Sequence, residues 1–499
     1  MAMVYLTLKL PGPLIRLFDR RYVGIYVSSL AFLILINVQF PDTISPLGAK
    51  LIAVLASMLI IWVTESVDYS TSAFYLIGIL TLALADCPDP AGNGKTIGTR
   101  EALAMSLSGF GSEAWILVTA ALILASAVRE SGLGERIAYW ILLAAGPKPK
   151  NILLGMLLMS YLTSIFIPAQ AANAALMCTV GLSIMEIYRI DKSDNFAKAV
   201  MLIVAFGTGI AGLGIQTSGA PTIQTANYLA EAGYPIKWLS WAIYGMPFSI
   251  VAGLVLYILI CSRFPTKKLP GEIALIRQKL AAMGPVSARE LKLAAIMLAT
   301  TALWASEHKL HDIDSSTVSV LAVMTLFLPF NNITTWDRLV KNINWGILFL
   351  FGAAISLGQW LLKSGAASWM AQNTISLLNL QKLSLLPIVA VSVVFFSLMS
   401  LVFSARAAAV AALVPVAIGF AESFARSHGV TVWGCTLIFY YAIQYSVLLP
   451  VNTPMSMIAY STETFSARDM LLTGAPLIVV LMLITLLFAK TYWHWLGLV

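Results

Sequence analysis

The sequence predicts an all-α polytopic membrane protein folded as two inverted repeats, each holding a re-entrant hairpin and a broken transmembrane helix. Three observations predict it. The composition is too apolar for water: 59% of the 499 residues are hydrophobic and 11% are charged, against about 25% charged in soluble domains. Apolar runs long enough to cross a bilayer, about 20 residues each, recur from end to end, among them 22–40, 49–66, 70–86, 236–262 and 470–490. Two landmarks also return at one offset. Ser131-Gly132 and Gly219-Ala220-Pro221 reappear as Ser364-Gly365 and Asn452-Thr453-Pro454, 233 residues on in both cases (132 to 365, 221 to 454).

The elements follow in order. Residues 1–21 are expected to be a cytoplasmic N-terminal segment, because Lys9, Arg16, Arg20 and Arg21 precede the span at 22–40 and basic flanks face the cytoplasm. No small-residue cleavage site follows a short apolar core, so this is not read as a cleavable signal peptide. Residues 22–262 form the first half. A basic loop at 263–292, with Arg263, Lys267, Lys268, Arg277, Lys279, Arg289 and Lys292, is assigned to the cytoplasm, and 293–499 form the second half. The acid- and histidine-rich stretch Glu307 to Asp314 falls outside. These loop positions account for the net charge of +8 and call for no nucleic acid; the expected surroundings are a lipid bilayer.

Counting spans from the cytoplasmic end, 113–131 runs inward and its counterpart 345–363 runs outward, so the repeats are inverted. Residues 152–186 are apolar but interrupted by Pro168-Ala169-Gln170-Ala171-Ala172-Asn173. Lys148 and Lys150 precede this stretch, and Arg189 and Lys192 follow it. A segment that enters and leaves on the cytoplasmic side satisfies both flanks, which a single span does not. Residues 383–424 repeat the pattern from outside around Ser404-Ala405-Arg406-Ala407. A broken span follows each hairpin: 196–230, interrupted at Thr217-Ser218-Gly219-Ala220-Pro221, and 431–463, interrupted at Pro450-Val451-Asn452-Thr453-Pro454. Proline removes a backbone donor and frees a carbonyl, and such irregular backbone is tolerated at membrane depth only inside protein or beside a polar cavity. Both hairpin tips are therefore expected near the midplane, facing each other across one polar cavity with the two breaks beside them.

Other chemistries find no constellation. Cys87, Cys178, Cys261 and Cys435 stand singly, with no paired spacing for a metal or a redox motif. His308 and His311 lie in a charged loop without partnering cysteines. There is no nucleophile elbow, Walker loop or dinucleotide fingerprint. No enzyme activity, cofactor or metal is expected.

Several of these segments resemble the divalent anion/sodium symporter family, which carries di- and tricarboxylates or sulfate. The markers are Trp62-Val63-Thr64-Glu65, Ser131-Gly132-Leu133-Gly134-Glu135-Arg136, Phe351-Gly352, Leu357-Gly358 and, most specifically, Leu449-Pro450-Val451-Asn452-Thr453-Pro454. The resemblance covers nearly the whole chain from about residue 22. It implies a homodimer of about eleven spans and two hairpins per subunit, and an elevator mechanism in which hairpins and broken spans slide against a fixed scaffold. It also implies a small anionic substrate and, for this chain, residence in a bacterial inner membrane.

The chain departs from that family where its members bind. The family carries Ser-Asn-Thr or a near variant at each tip, and those side chains contact substrate carboxylates and help bind sodium. Here the tips read Ala169-Gln170-Ala171 and Ala405-Arg406-Ala407, and the first break reads Gly219-Ala220-Pro221-Thr222-Ile223 where the family has Gly-Thr-Pro-Pro-Asn. Arg406 is expected to be the main anion anchor. No Asp or Glu lies between 383 and 421, nor in the second broken span before Glu463. A buried cation needs a partner, and guanidinium suits planar, bidentate capture of a carboxylate or sulfonate. Gln170, Asn173, Thr222, Asn452 and Thr453 are the further substrate-binding candidates, and Thr217, Ser218, Gly219 and Pro450 are the backbone candidates for an ion site.

The expected function is secondary active transport of small organic anions, by exchange without sodium. The tip alanines supply no side-chain oxygen. A sodium ion about 4 Å from a fixed arginine would also be repelled by roughly 4 kcal/mol at an effective dielectric of 20, a loss of about a thousandfold in affinity. The alternatives are a sodium-coupled dicarboxylate symporter and, in another class, a non-transporting membrane scaffold or receptor derived from a transporter. Transport is favoured by the polar residues kept at both breaks, Gln216, Thr217, Ser218, Thr222, Gln224, Asn452, Thr453 and Ser456. It is favoured too by an arginine at membrane depth, which costs about 3 kcal/mol.

Overall fold

The computed structural model describes residues 20–499 except 90–94, 168, 267–273, 308, 330, 332, 381–382 and 404. Lys9, Arg16, Pro168, Lys267, Lys268, His308 and Ser404, singled out above, lie outside the described residues. The described residues are mostly helical, joined by short turns and loops. In chain order the helices are α1 (Arg20–Leu35), α2 (Pro46–Thr64), α3 (Tyr69–Ala85), α4 (Gly98–Ser106), α5 (Glu113–Ser131), α6 (Leu133–Ala145), α7 (Pro149–Phe166), α8 (Gln170–Ile187), α9 (Asn195–Leu213), α10 (Ala220–Glu231), α11 (Trp238–Arg263), α12 (Ala274–Ala282) and α13 (Ala288–Ser306). The second half adds α14 (Ser315–Phe327), α15 (Trp336–Val340), α16 (Trp345–Lys363), α17 (Ala366–Leu377), α18 (Leu385–Ser400), α19 (Arg406–His428), α20 (Val432–Ile443), α21 (Pro454–Tyr460), α22 (Ala467–Lys490) and α23 (Tyr492–Trp495). Among the described residues, eight helices are long and apolar enough to cross a membrane.

The outer helices are apolar all round, as lipid-facing helices are. On α22, Leu477, Ile478, Leu481 and Ile484 are buried while Val479, Leu483 and Leu487 stay more than half exposed; in water that second stripe would be a liability, and in hydrocarbon it is satisfied. The centre is α9. Every residue from Phe196 to Leu213 except Lys198 is buried, and α9 packs against α7, α8, α11 and α21.

The landmark offset has a structural meaning. α5 ends at the left-handed Gly132, φ 79°, and α16 is followed, past Ser364, by the left-handed Gly365, φ 77°; a short helix, α6 or α17, starts from each glycine. A side chain is strained at such an angle, so glycine is the residue to find there. A pair of helices broken by a few residues follows each time: α7 and α8, then α18 and α19. A broken helix comes next, α9–α10 in the first half and α20–α21 in the second, the latter with a short 3-10 turn at Pro450–Asn452. The halves interlock, because α8 packs on α21 and α10 on α19.

Candidate functional site

Four chain interruptions meet at one cavity of about 120 Å³. Ala169, Gln170 and Ala171 line it from the first hairpin and Ala405, Arg406 and Ala407 from the second. Gly219, Ala220 and Pro221 come from the first break, and Pro454 and Met455 from the second. The remaining wall is Tyr69 of α3, Val118 and Leu122 of α5, and Ile347 and Leu350 of α16. The expectation of a polar cavity is corrected here: most of this lining is alkyl, because the tips carry alanines and the facing helices carry valine, leucine and isoleucine.

The polarity that remains is concentrated at the tips. α8, α10 and α19 start at the cavity, and their N-cap residues Ala169, Gly219 and Ala405 make no side-chain capping bond. The first N–H groups of a helix have no intrahelical partner and carry the positive end of its dipole, which favours an anion. Arg406 adds a full charge. It is 5% exposed, and its Nε and Nη1 have no hydrogen-bond partner. Tyr440 of α20 lies within electrostatic range of it, and that hydroxyl also lacks a partner.

The room for these side chains comes from α9. A Cβ added at Gly209 would sit 2.7 Å from Arg406 Nη1, and one added at Gly212 would sit within hard-contact range of Gln170 Nε2. Two glycines three apart on one helix face thus seat the two polar tip residues. The sequence reading did not single them out. The run Gly207-Thr208-Gly209-Ile210-Ala211-Gly212 inside an otherwise unbroken apolar helix was the available signal, since glycine in a helix interior is costly.

The other polar candidates form hydrogen bonds to side chains or to the backbone. Asn173 braces the first hairpin: its Oδ1 accepts from Thr163 Oγ1 at 2.6 Å and its Nδ2 donates to Ser164 Oγ at 3.1 Å. Thr222 Oγ1 donates to the Gly219 carbonyl at 2.7 Å, and Ser218 Oγ to the Gly212 carbonyl at 2.6 Å. Thr217 Oγ1 accepts from Trp238 Nε1 at 3.0 Å. Asn452 Oδ1 accepts from the Leu449 N–H at 2.8 Å, and its Nδ2 donates to the Phe403 carbonyl at 3.2 Å, tying the second break to the second tip. Thr453 caps α21 by accepting from the Ser456 N–H at 3.1 Å, and Pro450 is buried in the 3-10 turn. Of the candidates, Gln170, Arg406 and Gly219 line the cavity; Asn173, Thr217, Ser218, Thr222, Pro450, Asn452 and Thr453 do not. Among the described residues no cluster of three potential metal ligands occurs.

A helical membrane protein with interlocked broken helices around a cationic pocket belongs to the class of membrane transporters. The chain is a member of the sodium:sulfate symporter transmembrane-region family, whose profile matches residues 20–499. It is 32% identical over 477 residues to a protein of Cupriavidus necator named only as a membrane protein, with 95% of this chain and 93% of that one aligned. It is 25% identical over 482 residues to the sodium-dependent dicarboxylate transporter SdcS of Staphylococcus saprophyticus, covering 91% of this chain and 87% of the relative. The fold is similar to the crystal structure of the YdaH transporter of Alcanivorax borkumensis, with a TM-score of 0.53, 13% identity, and 86% of this chain and 99% of that one covered. The protein is an integral membrane transporter and not an enzyme.

Proposed function

We propose that this protein is a secondary active transporter of small organic anions that exchanges them without sodium. The observation that carries the reading is the tip cavity: three helix N-termini without side-chain caps converge there with a buried arginine whose Nε and Nη1 are unpartnered, and no carboxylate is among the described lining residues. Dicarboxylate transport by the SdcS relatives supports an anion as substrate. Against sodium stand the fixed charge of Arg406 and the oxygens of the first break, where the Gly212 and Gly219 carbonyls already accept from Ser218 and Thr222. In this reading Arg406, with Gln170 beside it, neutralises the incoming anion. The hairpins and broken spans move together, elevator fashion, in a homodimer whose N-termini face the cytoplasm of a bacterial inner membrane.

The test is uptake into proteoliposomes of labelled succinate, citrate and benzoate, with sodium or choline outside and with or without the same anion inside. Uptake should need internal anion and ignore the cation. Arg406→Ala should abolish it while Arg406→Lys retains a weakened rate, with both variants folded as judged by size-exclusion profile. Uptake that needs a sodium gradient and ignores internal anion would restore an ordinary symporter.

A further inference from the structure

We propose that α10 and α16 are joined by a polar latch, built on Tyr228 and Glu231, that must open in every transport cycle, so that these two residues govern the rate of exchange and not the affinity for the anion. The inference rests on the transport reading above, in which the broken spans move and α16 does not.

The latch and the anion site share a helix face. Pro221, Gln224, Tyr228 and Glu231 follow at three- and four-residue spacings on α10, which places them on one side of the helix. Pro221 lines the cavity, and the other three lead away from it along α16. Gln224 Nε2 donates to the Tyr228 hydroxyl at 2.9 Å, and that hydroxyl donates to the Ala354 carbonyl at 2.8 Å. Both side chains are fully buried. The Tyr228 ring lies over Gly358, where an added Cβ would fall within hard-contact range of the ring and its hydroxyl. The Leu357-Gly358 marker thus makes the seat for a tyrosine of the facing helix. At the end of α10, Glu231 accepts from Gln359 Nε2 at 2.9 Å and pairs with Lys363 Nζ at 3.4 Å.

α16 is tied down from its other side. Gln359 Oε1 accepts from Ser108 Oγ at 3.2 Å, which leaves its Nε2 for Glu231. Ser356 Oγ accepts from the Gly109 N–H at 2.8 Å, and Trp360 Nε1 donates to the Met105 carbonyl of α4 at 3.0 Å. α10 instead starts from the first break and packs on α19 of the second hairpin. Moving the tips and breaks past α16 therefore parts Tyr228 from Ala354, and Glu231 from Gln359 and Lys363. Neither Tyr228 nor Glu231 lines the cavity, so loss of the latch leaves the contacts of the site in place. The Glu231–Lys363 pair is partly exposed, and such pairs contribute little. The buried Tyr228 hydroxyl is the larger part, because removing it leaves the Gln224 donor unsatisfied in the docked state.

The test uses the full-length protein in proteoliposomes and whichever of labelled succinate, citrate and sulfate the wild type exchanges fastest. Tyr228→Phe, first checked for a wild-type melting temperature, should raise the maximal exchange rate about fivefold and leave the half-saturating concentration within twofold. In a second arm Glu231→Cys and Lys363→Cys are combined and bridged with a short bis-methanethiosulfonate. Bridging should cut exchange at least tenfold, dithiothreitol should restore it, and either single cysteine variant should be unaffected. The bridged protein in detergent should still bind the same anion with wild-type affinity by isothermal titration calorimetry. If the bridged protein exchanges at the untreated rate, α10 and α16 do not separate, and the latch falls while transport stands. If Tyr228→Phe shifts half-saturation tenfold or leaves the maximal rate unchanged, the rate-setting role of Tyr228 is overturned. If the wild type exchanges none of the three anions, the transport reading fails and the latch fails with it.

Discussion

A buried guanidinium is costly unless something pairs with it, and Arg406 has Nε and Nη1 unpaired in a helix whose surroundings are apolar. Gly209 makes that position tenable by letting α9 lie against the guanidinium. A methyl at 209 would meet Nη1 at 2.7 Å, the far end of a flexible side chain, so the side chain yields before the backbone does. Gly209→Ala should therefore leave the melting temperature within a few degrees of wild type and weaken anion binding about tenfold, or about 1.4 kcal/mol. Gly78→Ala is the control: nothing lies within 4 Å of the added methyl, and a better helix former should stabilise α3 by up to about 1 kcal/mol. Equal anion affinity in the two variants would count against the seating role of Gly209. Arg406 itself was legible in the sequence, because an arginine in a stretch with no acid from 383 to 421 is conspicuous. Gly209 was not, because which glycine faces which side chain is decided by helix packing and not by spacing.

At the scale of elements, one tie between α6 of the first half and α13, which starts in the loop joining the halves, is ionic and buried. Arg136 of α6 meets Glu290 of α13 with Nε–Oε1 at 2.7 Å and Nη2–Oε2 at 3.3 Å, both side chains 4% exposed. Arg136 also donates to the carbonyls of Gly284 at 2.9 Å and Met283 at 3.2 Å. Glu290 in turn closes a capping box with Ser287, so one carboxylate starts α13 and holds α6 to it. Removing either partner leaves a buried charge unpaired, which costs about 3–5 kcal/mol. Arg136→Ala and Glu290→Ala should each lower the melting temperature markedly, and the double variant should lose much less than both losses together; strictly additive losses would show that the two side chains are not coupled. The Ser-x-x-Glu at 287–290 was readable as a helix start, and Arg136 stood inside a marker segment, but no periodicity joins residues 154 positions apart. The paired Ser-Gly landmarks were readable for the opposite reason: a left-handed cap restricts the residue type locally, so the repeat survives in the sequence at Gly132 and Gly365. The hydroxyls and amides at the breaks were legible as polar clusters, whereas their partners were not. Thr217, Ser218, Thr222, Asn452 and Thr453 make hydrogen bonds that brace the two breaks, and such bracing leaves the same polar signature as ligand binding.

For the whole molecule, the decisive quantity is the charge carried through the membrane. Arg406 belongs to the protein and cannot leave with the substrate. If the tips and breaks move as one body, an empty carrier takes one uncompensated positive charge across, and a carrier loaded with a monoanion takes none. Moving an elementary charge through 100 mV is worth about 2.3 kcal/mol, so the two movements should respond differently to voltage. In proteoliposomes with a potassium gradient and valinomycin, exchange of a bound monoanion for itself should proceed at the same rate at zero and at 100 mV, inside negative. Net efflux into anion-free buffer requires the empty carrier to return and should be slower than exchange and sensitive to the sign of the potential. A dianion exchanged through the same site would carry one net negative charge in each direction, and that exchange should slow when either polarity is imposed. Arg406→Gln supplies the internal comparison: without the fixed charge the empty carrier is neutral, so any residual net flux should lose the voltage dependence of its return step. Voltage-independent net efflux by the wild-type protein, measured beside voltage-independent exchange, would mean that the arginine does not cross the field, and the moving-charge account would have to be abandoned.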